Sequence, residues 1–139
     1  MTAFADSSVV VKRYAVEASS EAAGRLRGPL FVSGLARVEV VSALTRKHRA
    51  GGVSADDLDL LVAEFDADWA DGVYVVIATT PHVLGRAAEQ ARRFGLRALD
   101  AVQLASALLA RDTVGVSSFA GFDRRLNRAA AACGFELAV

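Results

Sequence analysis

Residues 73–118 run VYVVIATTPHVLGRAAEQARRFGLRALDAVQLASALLARDTVGVSS, and the period of their apolar residues changes along the way. Val73–Ala78 is β-branched and uncharged, the composition of a strand buried within a sheet. Thr80-Pro81 starts a helix, with proline at a tolerated first-turn position, and the pattern continues to about Phe94-Gly95. Leu99–Arg111 is again helical and apolar on nearly every side, which suits a helix packed inside a domain. Val114–Ser118 returns to a strand pattern. Strands alternating with helices through short loops imply a parallel sheet covered on both faces.

The flanking sequence extends the same alternation. Ala3-Phe4-Ala5 is a short apolar run ending at Asp6-Ser7-Ser8, a helix-start signal. Ser19-Ser20-Glu21 opens a helix that stops near Gly28-Pro29. Leu30-Phe31-Val32 is a strand candidate, and Ser33 is expected to cap a helix reaching about Ala50 before Gly51-Gly52. Ser54-Ala55-Asp56-Asp57 begins a helix of period about 3.6, with Leu58, Leu61, Val62 and Phe65 on one side. Arg124–Cys133 reads as a helix ending at Gly134, and Phe135–Val139 as a last strand. No repeat, linker or shift of composition divides the chain. Residues 1–139 are therefore expected to form one α/β domain, a central parallel β-sheet flanked by α-helices on both faces.

Composition narrows the function classes. The chain has 139 residues, 53% hydrophobic and 23% charged, with two prolines. That excludes a disordered tail, a collagen-like repeat and a low-complexity linker. A single cysteine, Cys133, excludes an internal disulfide framework and a multi-cysteine zinc site. Ala98–Ala110, the longest nearly apolar stretch, is too short to span a bilayer, and MTAFADSS has no basic, then apolar, leader pattern. A soluble cytoplasmic protein is the expectation. Sixteen basic and sixteen acidic residues give zero formal charge, unlike a nucleic-acid coat protein, whose affinity rests on excess positive charge. Zero net charge leaves room for a nuclease, which needs acids for metals and bases for phosphates. Acids crowd Asp56–Asp71, whereas Arg86–Arg97 and Arg124–Arg128 are basic runs; a solvated helix face is the plainer reading of any single run.

In parallel α/β sheets, sites form beyond the carboxyl ends of the strands, where strand order reverses. Four carboxylates are out of place, and three of them sit at element junctions that this topology brings to one edge of the sheet. Asp6 follows the first strand, and Asp123 follows Phe119-Ala120-Gly121-Phe122 just before a helix; capping is the plainer account of each. Glu39 points from a small and apolar helix face formed with Leu35, Ala36, Ser42 and Ala43, although a surface glutamate is the commoner explanation. Asp100 opens a helix otherwise fit for a core, where an unpaired charge is costly. Together the four fit one account better than four separate ones. Clustered carboxylates repel unless a cation lies between them, and hard divalent ions prefer oxygen ligands. An all-carboxylate site with open water positions suits metal-assisted phosphodiester hydrolysis. His48 and His82 are isolated and read as surface residues, and Cys133 as a small core residue.

At this point the chain resembles a PIN domain of the VapC type, the ribonuclease toxin of bacterial toxin–antitoxin pairs. FADSSVVVKRYAVEASSE resembles that family's opening strand, acid and helix; SGLARVEVVSALTRK its second segment; LRALDAVQLASALLA its third and most specific; and SFAGFDRRLNRAAAACGFE its closing segment. The resemblance covers essentially the whole chain. It implies a metal-dependent endoribonuclease that inhibits translation when free of antitoxin, with one or two Mg²⁺ or Mn²⁺ ions in an acidic pocket. It further implies Asp6, Glu39, Asp100 and Asp123 as catalytic and metal-site residues, Asp6 and Asp100 foremost as direct ligands. Structured RNA such as tRNA or rRNA, a VapB-type antitoxin and a homodimer are the implied partners, with no membrane association. Ser7, Arg97, Arg124 and Arg125 are candidate substrate contacts, and Lys12 and Arg13 are similar cases. Many family members carry Ser or Thr where this chain has Gly121, a hydroxyl for which Ser7 or Ser118 is a candidate substitute. The apolar residues of Ala55–Trp69 suit a partner surface or, more economically, a core-facing helix.

Three other readings compete. A phosphoacceptor receiver module lacks support, because Asp6 is followed by serines and the only lysines are Lys12 and Lys47. A degenerate PIN fold serving as an interaction protein, or a PIN nuclease of RNA processing, would share the same framework.

Overall fold

The computed structural model describes residues 2–15, 20–24, 26 and 28–139. Within them the chain forms β1 (Ala3–Ala5), α1 (Ser7–Val11), α2 (Ser20–Gly24), β2 (Leu30–Ser33), α3 (Ala36–Arg49) and α4 (Ala55–Ala70). It continues with β3 (Tyr74–Ile77), α5 (Pro81–Phe94), α6 (Ala98–Val114), β4 (Ser118–Ala120), α7 (Arg124–Ala132) and β5 (Glu136–Leu137). The five strands make one sheet in the order β3-β2-β1-β4-β5, and every pairing is parallel. The expected α/β class is therefore the observed one. Ser19, expected to open α2, lies outside the described residues.

The alternating side chains of the strands split the core in two. Phe4 and Phe119 pack on one face with α5, α6 and α7, their rings stacked at 5.8 Å between centroids. Ala3, Ala5, Leu30, Val32 and Tyr74 face the other way, against α1, α3 and α4. Leu58, Leu61, Val62 and Phe65 of α4 all belong to this second cluster, so the apolar side of that helix faces the core. Helix α6 is buried along Ala101–Leu108, as its all-round apolar character requires.

Several boundaries differ from the sequence expectation for identifiable reasons. The strand expected to be most buried, Val73–Ala78, is the sheet edge. Val75 and Val76 are 38% and 40% exposed, because β2 pairs one side of β3 and, among the described residues, no strand pairs the other. The expected strand at Val114–Ser118 begins only at Ser118, since α6 continues to Val114 and ends at Gly115, whose φ of 77° suits glycine. The last strand is shorter than expected, Glu136–Leu137. Ser33 does not cap α3. Its hydroxyl accepts from the Leu35 amide at 3.1 Å in a short turn, and Leu35 holds the cap position. Ser54 and Thr80 do cap, accepting from Asp57 N at 3.1 Å and Val83 N at 3.2 Å. Among the described residues no helix is long and apolar enough to cross a membrane.

Candidate active site

The connections place the site. From β1 the chain adds β2 and β3 on one side, then crosses back to add β4 and β5 on the other. Strand order reverses between β1 and β4, and a crevice opens beyond their carboxyl ends. Asp6 leaves β1 there, its amide donating to Ala120 O at 2.9 Å and so extending the ladder by one bond. Asp123 stands three residues beyond Ala120 at the start of α7, with Oδ1 accepting from Leu126 N at 2.8 Å. The capping account of Asp123 thus holds for one oxygen. Asp6 occupies a cap position but makes no side-chain cap bond; its Oδ2 accepts from Ser8 Oγ at 2.6 Å. Glu39 and Asp100 come from the first turns of α3 and α6.

All four carboxylates line one open cleft of about 530 Å³, together with Ser7, Ser8, Lys12, Arg46 and Phe122. Burial raises the Asp6 carboxyl from an ordinary 3.8 to about 6; the Ser8 hydrogen bond opposes the rise, and the charges of Glu39 and Asp100 add to it. Asp100 is also pushed up, first by burial and then by Asp123 and Glu39, with Arg97 pulling the other way. The four acids therefore share one electrostatic field.

A polar residue that sequence reading passed over holds this arrangement from below. Gln103, 1% exposed, lies one turn after Asp100 on α6. Its Nε2 donates to Glu39 Oε1 at 2.8 Å and to Ser7 Oγ at 2.9 Å, and Ser7 Oγ donates to the same Glu39 oxygen at 2.9 Å. One helix is thereby tied to two others under the cleft floor. The signal was present in LDAVQLASALLA, where a glutamine three residues from an aspartate interrupts a core pattern.

Other expected contacts fall elsewhere. Arg97, Arg124 and Arg125 are exposed and do not line the cleft; its basic lining residues are Lys12 and Arg46. Lys12 Nζ sits 4.7 Å over the Phe122 ring, and Arg46 Nη1 donates to Ser42 Oγ at 2.7 Å. Ser118 is buried at the far end of β4 and cannot replace a hydroxyl at position 121. A Cβ at Gly121 would stand 2.9 Å from Asn127 Oδ1 and 3.0 Å from Phe119 Cε1. The Asn127 amide, bonded to Gly121 O at 2.9 Å, fills the space a side chain there would need.

The donor set fits a hard divalent cation: carboxylate oxygens from four chain segments, mutually repelling and open to water. Among the described residues no group of three or more acidic, His or Cys side chains is placed to hold a metal ion by itself; a hard divalent cation here would be held by one or two of the carboxylates and several waters.

Comparison with known proteins agrees with this architecture. The structure is similar to the crystal structure of Mycobacterium tuberculosis VapC20, described as a sarcin–ricin loop cleaving toxin. The TM-score is 0.69, at 18% sequence identity over 96% of each chain. At that identity the likeness is one of fold. No curated protein matches the chain significantly. The family model for the PIN domain matches residues 3–132. With the parallel sheet, the switch-point cleft and four acids from four segments, that match over nearly the whole length means that the chain belongs to the PIN domain family.

Proposed function

We propose that the protein is a metal-dependent endoribonuclease, the toxin of a VapBC-type toxin–antitoxin pair, acting in the cytoplasm on structured RNA and slowing translation when its antitoxin is gone. The observation that carries this reading is the convergence of Asp6, Glu39, Asp100 and Asp123 on one cleft. A Mg²⁺ or Mn²⁺ ion, when bound, supplies water activation and charge neutralisation at the scissile phosphate. Asp6 and Asp100 hold the ion. Glu39, aimed by Gln103 and Ser7, and Asp123, fixed by its cap bond, orient water and the phosphate. The raised Asp6 and Asp100 carboxyls lose their mutual repulsion when the ion binds, which couples occupancy to both acids. The VapB-type antitoxin and a second copy of the chain are the proposed protein partners.

The test is cleavage of total RNA and of a sarcin–ricin loop oligonucleotide by antitoxin-free protein, in Mg²⁺, Mn²⁺ or EDTA, beside folded Asp100→Asn. Cutting that needs metal and disappears in the variant is expected. Full activity in EDTA, or in the folded variant, overturns the reading. Cutting of neither RNA with either ion would favour an interaction protein on a PIN framework.

A further inference from the structure

A second concavity, of about 590 Å³, lies between the end of α5 and the outer face of α7. It is lined by Phe94, Gly95, Arg125, Arg128, Ala129 and Ala132. The four α7 positions recur at helical spacing, so they form one stripe along that helix. Arg125 Nη1 donates to Gly95 O at 3.4 Å, spanning the groove at one end, and the Arg93 guanidinium lies 4.7 Å over the Phe94 ring beside it.

No carboxylate neutralises the charge here by direct contact among the described residues. Arg92, Arg93, Arg97, Arg124, Arg125 and Arg128 are all exposed, and none joins an ion pair among the described residues. By contrast, Arg37, Arg86 and Arg111 elsewhere all have aspartate partners. Arg124 and Arg125 also occupy the first turn of α7, whose last turn holds no basic residue. Positive charge at that end opposes the helix dipole. Such a local conflict marks a place where a ligand, rather than the fold, sets the sequence.

The groove adjoins the acidic cleft. Arg125 follows Asp123 by two residues on α7, and Gly95 precedes the α6 cap Arg97, in whose helix Asp100 occupies the first turn. We propose that this groove is a track for the sugar–phosphate backbone of RNA flanking the scissile bond, with Arg125 and Arg128 contacting phosphates. The proposal rests on the nuclease reading and names a substrate surface outside the acidic cleft. Arginine suits the task because its fork of donors matches phosphate oxygens and remains charged. A sequence-neutral backbone track also leaves specificity to the cleft.

The test is fluorescence anisotropy of a labelled single-stranded RNA with the full chain carrying Asp100→Asn, in EDTA, across a KCl series. Arg125→Gln/Arg128→Gln in that background is expected to weaken binding about tenfold at low salt. It should also flatten the slope of log K against log salt by about 1.4, near 0.7 for each single-strand phosphate that is no longer neutralised. Arg125→Lys/Arg128→Lys should keep the slope, and Arg37→Gln should change neither quantity. Unchanged affinity and slope in the double Gln variant overturn the proposal. The two readings separate cleanly. A wild-type protein that cuts RNA, with KM unchanged by the double substitution, sinks the groove and spares the nuclease. RNA held through these arginines by a protein that cuts nothing does the reverse.

Discussion

Replacing Asp6 with asparagine should stabilise the metal-free protein at neutral pH, and the size of the gain follows from where the carboxyl sits. The side chain is buried, and its pKa is lifted from 3.8 to about 6, by burial first and by Glu39 and Asp100 in addition. A folded-state value above the unfolded one means that the folded protein holds an extra proton in the interval between them. The stability tied to that proton is complete below the unfolded value and is lost as pH rises through about 6. At about 1.4 kcal/mol per tenfold change in proton affinity, the loss approaches roughly 3 kcal/mol above pH 7. Asn removes the charge but keeps an oxygen to accept from Ser8 Oγ, and no cap bond is sacrificed. Urea unfolding in EDTA should therefore show Asp6→Asn more stable than wild type by about 1–3 kcal/mol near pH 7.5, equivalent to several degrees in Tm. The two proteins should converge near pH 4. Adding Mg²⁺ should raise wild type more than the variant, through binding to the folded state. A variant less stable than wild type near pH 7.5, or a difference that ignores pH, would refute the electrostatic argument and make Asp6 a structural residue.

Two further outcomes test the surroundings of the cleft. Gln103→Leu strips Glu39 Oε1 of one of its two donors and leaves Ser7 as the other; it should cost about 1–2 kcal/mol in urea unfolding and lower kcat for RNA cleavage by more than that loss of folded protein explains. Gly121→Ser drives a Cβ against Asn127 Oδ1 and Phe119 and should destabilise by about 1–3 kcal/mol. Asn127→Ala in the same chain should recover much of that loss, a coupling read from a double-mutant cycle.

The PIN framework and the four acids were legible in the chain because both depend on local pattern. Periodicity separates helix from strand, and an acid placed just after a strand or in the first turn of a core helix is conspicuous on either side of the fold. Edge position was not legible. VYVVIA has the composition of an interior strand, yet only the order β3-β2-β1-β4-β5 puts it at the rim with Val75 and Val76 exposed. The start of β4 was missed for a related reason: Val114 suits either state, and the left-handed turn at Gly115 settles it in favour of the helix.

Side-chain partnership belongs to tertiary structure throughout. Gln103 and Glu39 are 64 residues apart and Gln103 and Ser7 are 96 apart, so no local window contains the hydrogen bonds that aim Glu39. The arginines show the same division. Their number and runs are plain in the sequence, but α7 turns Arg125 and Arg128 toward the end of α5, while Lys12 and Arg46 line the cleft. Residue type sets what chemistry each group can perform. Its protonation, its partners and the cleft it faces depend on distances across the sheet, which are fixed only when the crossover from β3 back to β4 closes the crevice beside β1.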